Sequence, residues 1–320
     1  MAANPTKVVV TFLGCGKLSS AILEGILASL SDHALRFAAP PHGSNISHPT
    51  PIQPSAFIAC VHHEESAGKL RDQFAKTNPE VKVYANENVR GVKEGAVVIL
   101  GVEPSVYESV LAEEGMRDAL SGKILVSFVG GVSILKLKTA IYGPNALTDA
   151  AGEAQKQCQI IRVTPSIASA VRDSYTLIIE ENEEHYPPST IDPVYSLFLR
   201  VGSVKIWPAS SSSAGATLSA SSPAFFALGM EGAVKGAVEL GIDRKQALEM
   251  AAAAMRGAAA LVASGESPEE VRKKVATPGG STERGLQLLE QRGDLVNVMG
   301  DAIKVAAGRV DGMGETRSKD

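Results

Sequence analysis

Apolar residues gather in short unbroken runs through the first two thirds of the chain. VVVTFL (8–13), FIACV (57–61), VKVY (81–84), AVVIL (96–100) and KILVSF (123–128) are apolar or nearly so. Runs of this length, rich in β-branched residues and lacking polar alternation, suit parallel strands covered on both faces. IIRV (160–163), TLIIE (176–180) and SVKIW (203–207) continue the series. Segments with helical spacing lie between the runs, so the alternation predicts an α/β fold with a doubly wound sheet.

From about residue 211 the strand pattern stops. EGAVKGAVELG (231–241), DRKQALEMAAAAMRGAAALVASG (243–265) and LVNVMGDAIKVAAGRV (295–310) show helical spacing, with small residues that permit close helix–helix approach. Gly241 reads as the end of one helix and Asp243 as the N-cap of the next. The chain therefore divides into an α/β domain over 1–207 and an all-helical domain over 208–320. APPHGSNISHPTPIQP (39–54) and TDAAGEAQKQ (148–157) read as surface insertions. The serine run at 210–223 has the composition of a linker. It also suits the start of a closely packed helix, which is the reading we favour.

Composition narrows the function classes. The 320 residues are 44% hydrophobic and 21% charged, with a net charge of −4. Such a chain has no nucleic-acid footprint, and its scattered Lys and Arg offer nothing to an anionic membrane. No run of 18 apolar residues occurs, so no membrane span is expected. Cys15, Cys60 and Cys158 are odd in number and form no CxxC pair, which fits free thiols in a reducing compartment. MAANPTKVVVTFLG has neither a signal-type apolar run nor an Arg-rich amphipathic stretch, so a cytoplasmic location is expected.

The first apolar run is followed directly by Gly14-Cys15-Gly16-Lys17-Leu18-Ser19 and then by the helical SAILEGIL. A strand, a glycine turn and a helix N-terminus make up the dinucleotide-binding arrangement of a Rossmann-like domain. Gly14 allows the turn, and Gly16 lets the backbone approach a pyrophosphate that faces the helix amides. Ser19 stands where a third Gly or Ala is usual and is still small. After the second run come His62-His63-Glu64-Glu65, beside the expected adenosine ribose. An acidic residue directly at the strand end would favour NAD(H). Two imidazoles come first instead, and they can contact a 2′-phosphate or simply form a solvated loop. NADP(H) is therefore preferred, with NAD(H) as the alternative. The six histidines show no HExxH-type spacing, so no metal is expected. Lys273-Lys274 reads as a solvated helix face, Cys15 as a small turn residue, and Tyr107, Tyr175 and Trp207 as packing residues.

One segment works against its surroundings. VATPGGSTERGLQLLE (275–290) interrupts an otherwise helical region with Pro and Gly, which cost about 3 and about 1 kcal/mol relative to Ala in a helix.

With these motifs placed, the chain resembles the Δ1-pyrroline-5-carboxylate reductase family from Val8 to about Arg309. GCGKLSSAILEG resembles that family's glycine motif, VSFVGGVSI (126–134) its Ser-x-x-Ala-Gly-Val segment, and SASSPAFFALGMEGAVKGAVELGI (219–242) its Ser-Gly-Pro-Ala-Tyr helix. VATPGGSTERGLQLLE is similar to its Ser-Pro-Gly-Gly-Thr-Thr signature. The resemblance implies reduction of a cyclic imine to proline with NAD(P)H, and a helical domain that forms a homodimer or larger homo-oligomer. It places the cofactor on Gly14, Cys15, Gly16, Lys17, Leu18, His62, His63, Asn88, Val102, Glu103 and Pro104.

The resemblance gives the interruption a chemical reason. Pro278, Gly279 and Gly280 end one helix, and Ser281 or Thr282 caps the next, leaving amides for a substrate carboxylate. Thr277, Gly279, Gly280, Ser281 and Thr282 would hold the cyclic imino acid, with the Thr282 hydroxyl reaching the imine nitrogen as the catalytic group. Four departures from the family pattern stand out. Thr164-Pro165-Ser166 replaces Met-Pro-Asn, Glu103-Pro104 replaces Lys-Pro, Ser222 replaces a Gly, and Glu283-Arg284 replaces apolar residues. They leave two alternatives open: a reductase of another cyclic imino acid, or a nucleotide-binding regulator without turnover.

Overall fold

The computed structural model describes residues 6–32, 52–77, 80–144, 157–181 and 186–313. β1 (Thr6–Leu13), α1 (Lys17–Ser31), β2 (Ile52–Val61), α2 (Glu64–Phe74), β3 (Val81–Ala85), α3 (Asn88–Glu94) and β4 (Val97–Leu100) open the chain. α4 (Tyr107–Leu111), α5 (Met116–Leu120), β5 (Ile124–Ser127), α6 (Ile134–Tyr142), β6 (Gln159–Thr164), β7 (Ser174–Glu180), α7 (Pro188–Leu199) and β8 (Gly202–Pro208) follow. The eight strands form one sheet in the order β3-β2-β1-β4-β5-β6-β7-β8, so the strand order reverses beside β1. This is the doubly wound, Rossmann-like arrangement in which ligands sit outside the carboxyl ends of the strands at the switch point.

The central runs became strands because their residues can bury both faces, whereas β3 and β8, at the sheet edges, are only partly buried. Phe12 points into one apolar layer with Ile22, Leu23 and Ile26 of α1, Phe57 and Phe198. Its neighbour Leu13 points into the other, with Ile58, Leu100, Leu111, Leu120, Leu125 and Leu137. Alternation of successive side chains across the pleat puts them on opposite sides. Each large side chain removed from water in this way contributes about 1.5–3 kcal/mol.

The sheet is parallel but for one pair, since β7 runs antiparallel to β6 while β8 runs parallel to β7. Residues 165–173 are fewer than the dozen or so that a parallel crossover requires, so the chain can only fold back. One expectation needs correction: the insertion read at 39–54 ends earlier, since β2 begins at Ile52, with Ile52 and Pro54 buried. Pro54 is tolerated because β3 pairs with β2 only from Phe57 onward, and a register shift lies beside it where β1 pairs with Pro54 and Ala56. Residues 39–51 and 148–156, which include His42 and His48, lie outside the described residues, as do His33 and His185.

The serine run is helical from end to end. After the turn at Ala209–Ser211 come α8 (Ser212–Ala216), a wide turn over Thr217–Ser221 and α9 (Ser222–Glu239). Gly215 lets α8 lie against the sheet, since a Cβ there would meet Leu177 Cδ1 at 2.7 Å. α10 (Arg244–Ala263), α11 (Pro268–Val275), α12 (Ser281–Gly293) and α13 (Leu295–Met313) complete the chain. Two compact bodies result, one of residues 1–220 with 307–320 and one of residues 221–306.

Within the second body α9 packs on α10 and α10 on α11. Asp243 caps α10 as its position foretold, its carboxylate accepting from the amides of Lys245 and Gln246 at 3.0 and 3.2 Å. Among the described residues from Pro223 to Ala306, Val234 and Ala247 alone are buried hydrophobics, whereas Leu228, Met250 and Val296 are 60–69% exposed. Among the described residues no helix is long and apolar enough to cross a membrane.

Candidate functional site

The first candidate site lies at the carboxyl end of β1. Gly14 has φ +86°, a region that L side chains avoid, and a Cβ there would meet Val102 Cγ1 at 2.5 Å and Val102 N at 2.9 Å. The amides of Gly14 and Cys15 both donate to the Cys60 carbonyl at 3.1 Å, which pins the turn to the end of β2. Ser19, at the third motif position, is buried, and its hydroxyl donates to the Gly14 carbonyl at 2.6 Å. A residue chosen by size in the sequence thus turns out to lock the turn as well. Its neighbour Gly101 leaves room for it, because a Cβ on Gly101 would approach Ser19 Oγ to 2.3 Å.

Gly16 is the N-cap of α1, and nothing lies within 4 Å of where its Cβ would be. No side chain caps the helix, and no acidic residue sits in its first turn. The helix therefore presents amide donors and the positive end of its dipole to open space, which fits a bound phosphate. Lys17 is exposed at this end, and Leu18 is partly buried against the apolar core. Burial pushes the Cys15 thiol up to about 11 and the Cys60 thiol up to about 12, so both are small neutral groups beneath the turn.

At the end of β2, His62 and His63 are both exposed, with ring centroids 4.5 Å apart in an edge contact. The acidic pair behind them is turned to its own helix: Glu65 pairs with Lys69 at 2.7 Å and Glu64 with Arg71. Asn88 opens α3, and its Nδ2 donates to Glu113 at 3.0 Å. Because a carboxylate only accepts, this contact fixes which way the amide faces. No spacing or motif signals that partner, which lies 25 residues away. Val102 and Pro104 are half-buried, Glu103 is exposed, and the Glu103 carbonyl accepts from the Val106 amide at 3.1 Å, closing a turn after β4.

Ser166, one of the departures, is 2% exposed and belongs to a buried hydroxyl chain. Its amide donates to Ser174 Oγ at 3.0 Å, and its own hydroxyl donates to the same atom at 3.3 Å, with Thr176 Oγ1 also 3.3 Å from it. Tyr107 is buried as expected for a packing residue, and Trp207 is half-buried, its indole N–H donating to the Ser211 carbonyl at 3.2 Å. Tyr175 is 47% exposed and does not pack as expected, because it points out of β7 between the inward-facing Ser174 and Thr176.

The second candidate site is the interruption, in the helical body. α11 ends at Val275, and the loop turns through Gly279 at φ +71°. The Gly280 amide donates to the Thr277 carbonyl at 2.9 Å, and α12 starts at Ser281. The N-cap is Gly280 and no side chain caps it, which corrects the expectation that Ser281 or Thr282 would. Both residues already have helical backbone, so neither hydroxyl can occupy the cap position. As first-turn residues of α12, Ser281 and Thr282 have amides with no acceptor inside the helix, which makes an anion-ready end. Thr277 and Ser281 are exposed at this end, and Thr282 is half-buried. Glu283 Oε2 accepts from the Gly279 amide at 2.7 Å. Lys273 and Lys274 pair with Glu269 and Glu266 at 2.6 and 2.8 Å, as on a solvated helix face. Among the described residues no cluster of His, Cys, Asp or Glu could hold a metal ion.

Comparison with known proteins bears on both sites. Residues 9–131 match a family model described as NADP oxidoreductase, coenzyme F420-dependent, and residues 210–313 match one described as pyrroline-5-carboxylate reductase dimerisation. A pyrroline-5-carboxylate reductase of Lophium arboricola is 38% identical over 96% of this chain and 94% of its own. One from Neurospora crassa is 34% identical over 91% of this chain and 88% of its own. Among solved structures, pyrroline carboxylate reductase of Plasmodium falciparum, with NADP bound, superposes with a TM-score of 0.72 at 19% identity, covering 98% of this chain and all of its own. That of Streptococcus pyogenes gives 0.71 at 21% identity over 96% of this chain and 99% of its own.

Proposed function

The chain belongs to the pyrroline-5-carboxylate reductase family, and from that premise we propose that it reduces Δ1-pyrroline-5-carboxylate to L-proline, the last step of proline biosynthesis. The observation that carries this reading is similarity to named reductases over nearly the whole chain, with both chemistry-bearing segments in place. A reduced pyridine nucleotide supplies the hydride. Everything else falls to the protein, whose task is to hold a small acid and to stabilise charge at its imine nitrogen.

On the first body, Gly14, Cys15, Gly16, Lys17 and Leu18 hold the pyrophosphate through amides at the uncapped end of α1. His62 and His63 receive the adenosine 2′-phosphate, and Asn88, Val102, Glu103 and Pro104 line the same nucleotide. The preference is for NADPH, with NADH as the alternative. Its support is that Glu64 and Glu65 are held by Arg71 and Lys69 while the two imidazoles stand open. On the second body, amides and hydroxyls of Thr277, Gly279, Gly280, Ser281 and Thr282 bind the substrate carboxylate. The Thr282 hydroxyl stabilises the imine nitrogen as it gains electron density.

A protonated imine accepts hydride readily, so no strong general acid is needed, and Thr277, Ser281 and Thr282 need offer only hydroxyls. The nearly core-free second body supports a homodimer or larger assembly in which another copy covers its apolar faces. Nucleotide oxidation followed by absorbance with Δ1-pyrroline-5-carboxylate tests the activity. Turnover only with the six-membered analogue would favour a second reading, reduction of another cyclic imino acid, for which Glu283 on the Gly279 amide and the buried Ser166 are the supporting observations.

A further inference from the structure

We propose that Glu283 is an internal stand-in for the substrate carboxylate and sets how weakly this enzyme binds its substrate. The inference rests on the reading of residues 277–282 as the carboxylate site. Glu283 Oε2 takes the Gly279 amide at 2.7 Å, so one of the donors presented by the loop already holds a carboxylate. The Gly280 amide is committed to the Thr277 carbonyl, leaving Ser281 and Thr282 to meet a ligand without displacement. A ligand carboxylate that spans all three available amides must first move Glu283.

The contact is built to give way. Gly279 is exposed, and nothing lies within 4 Å of where its Cβ would be, so no packed wall surrounds the residue that Glu283 holds. Glu283 is half-buried, and among the described residues no Lys or Arg forms an ion pair with it, although most other carboxylates in α11 and α12 are paired. With a single amide as its partner it can rotate away at small cost. While it stays, a ligand carboxylate cannot reach the Gly279 amide, and the apparent dissociation constant for binding that uses this amide rises by the inverse of the open fraction. An open fraction of about a third to a tenth corresponds to a three- to tenfold weakening.

The test uses the full-length protein as wild type, E283Q and E283A. Kinetics give KM for Δ1-pyrroline-5-carboxylate, and calorimetry gives Kd for L-proline, whose carboxylate needs the same amides. The expected result is a three- to tenfold fall in both constants for E283A and a smaller fall for E283Q, which keeps an oxygen for Gly279 but loses the charge. A lower Tm with both constants unchanged or raised would overturn the proposal and leave Glu283 as a helix cap. Absence of L-proline binding to all three proteins would overturn it too. Failure of the wild type to turn over any cyclic imino acid would strike the functional reading, while the ratio of L-proline constants would still decide this one.

Discussion

At the scale of single residues, the two sites make different demands, and the substitutions that probe them fail differently. Gly14 is constrained by its backbone and by Val102, 2.5 Å from where a Cβ would sit. Gly14→Ala should cost about 1–2 kcal/mol through φ alone, lower Tm, and raise KM for the nucleotide at least tenfold. Unchanged nucleotide affinity would show that the turn does not carry the pyrophosphate. Thr282 sits on a helix that forms without it, so Thr282→Ala should spare the fold. Its kcat should fall about ten- to a hundredfold, as when one donor to a developing charge is lost, with nucleotide affinity little changed. Equal loss in both would mean that the hydroxyl has another task.

The buried thiols give a chemical check on the same turn. Cys15 and Cys60 are pushed up to about 11 and about 12, chiefly by burial. Both should resist iodoacetamide at pH 8 in the folded protein and react once it unfolds. Because the folded values are raised, the stability these thiols lend is intact below the unfolded thiol value of about 8.5 and is lost as pH climbs through the folded ones. Rapid labelling of native protein would show that the turn opens.

At the scale of elements, Asp243 offers the cleanest local test. Its carboxylate holds two amides of α10, and Asp243→Ala should lower stability by about 1 kcal/mol, read by denaturant melting. The same element shows why much was legible in the sequence: a side chain that meets amides two and three residues ahead is a local device. The eight strands were equally plain, since apolar runs such as AVVIL can only be buried on both faces. What is not legible in the sequence depends on pairing at a distance. Ile52 and Pro54 look like loop because their place in β2 depends on pairing with β1 and, for Ile52, on bonds to Ser196 of α7 and to Arg200 just after it. The reversal at β7 shows in the sequence only as the shortness of residues 165–173. Ser281 and Thr282 have the residue type of a cap, yet the cap falls one residue earlier because Gly280 bonds back to Thr277. The partners Glu113 for Asn88 and Ser174 for Ser166 are side-chain contacts that no spacing announces.

At the scale of the whole molecule, the two bodies differ in kind. The sheet has two apolar layers of its own, while the helical body leaves Leu228 and Val296 more than 60% exposed. A second copy of the chain is the natural cover for such faces. Leu228→Glu with Val296→Glu should therefore reduce the mass seen by light scattering while the sheet keeps its nucleotide affinity. An unchanged mass would place the interface elsewhere.

The central claim is that this chain moves a hydride to a five-membered cyclic imino acid. The most direct measurement supplies NADPH carrying two deuteriums at C4 of its dihydronicotinamide together with Δ1-pyrroline-5-carboxylate and analyses the product by mass spectrometry and NMR. The account predicts L-proline carrying a single deuterium at C5, formed in step with nucleotide oxidation. Tight nucleotide binding with no labelled proline, at any substrate concentration, would contradict it.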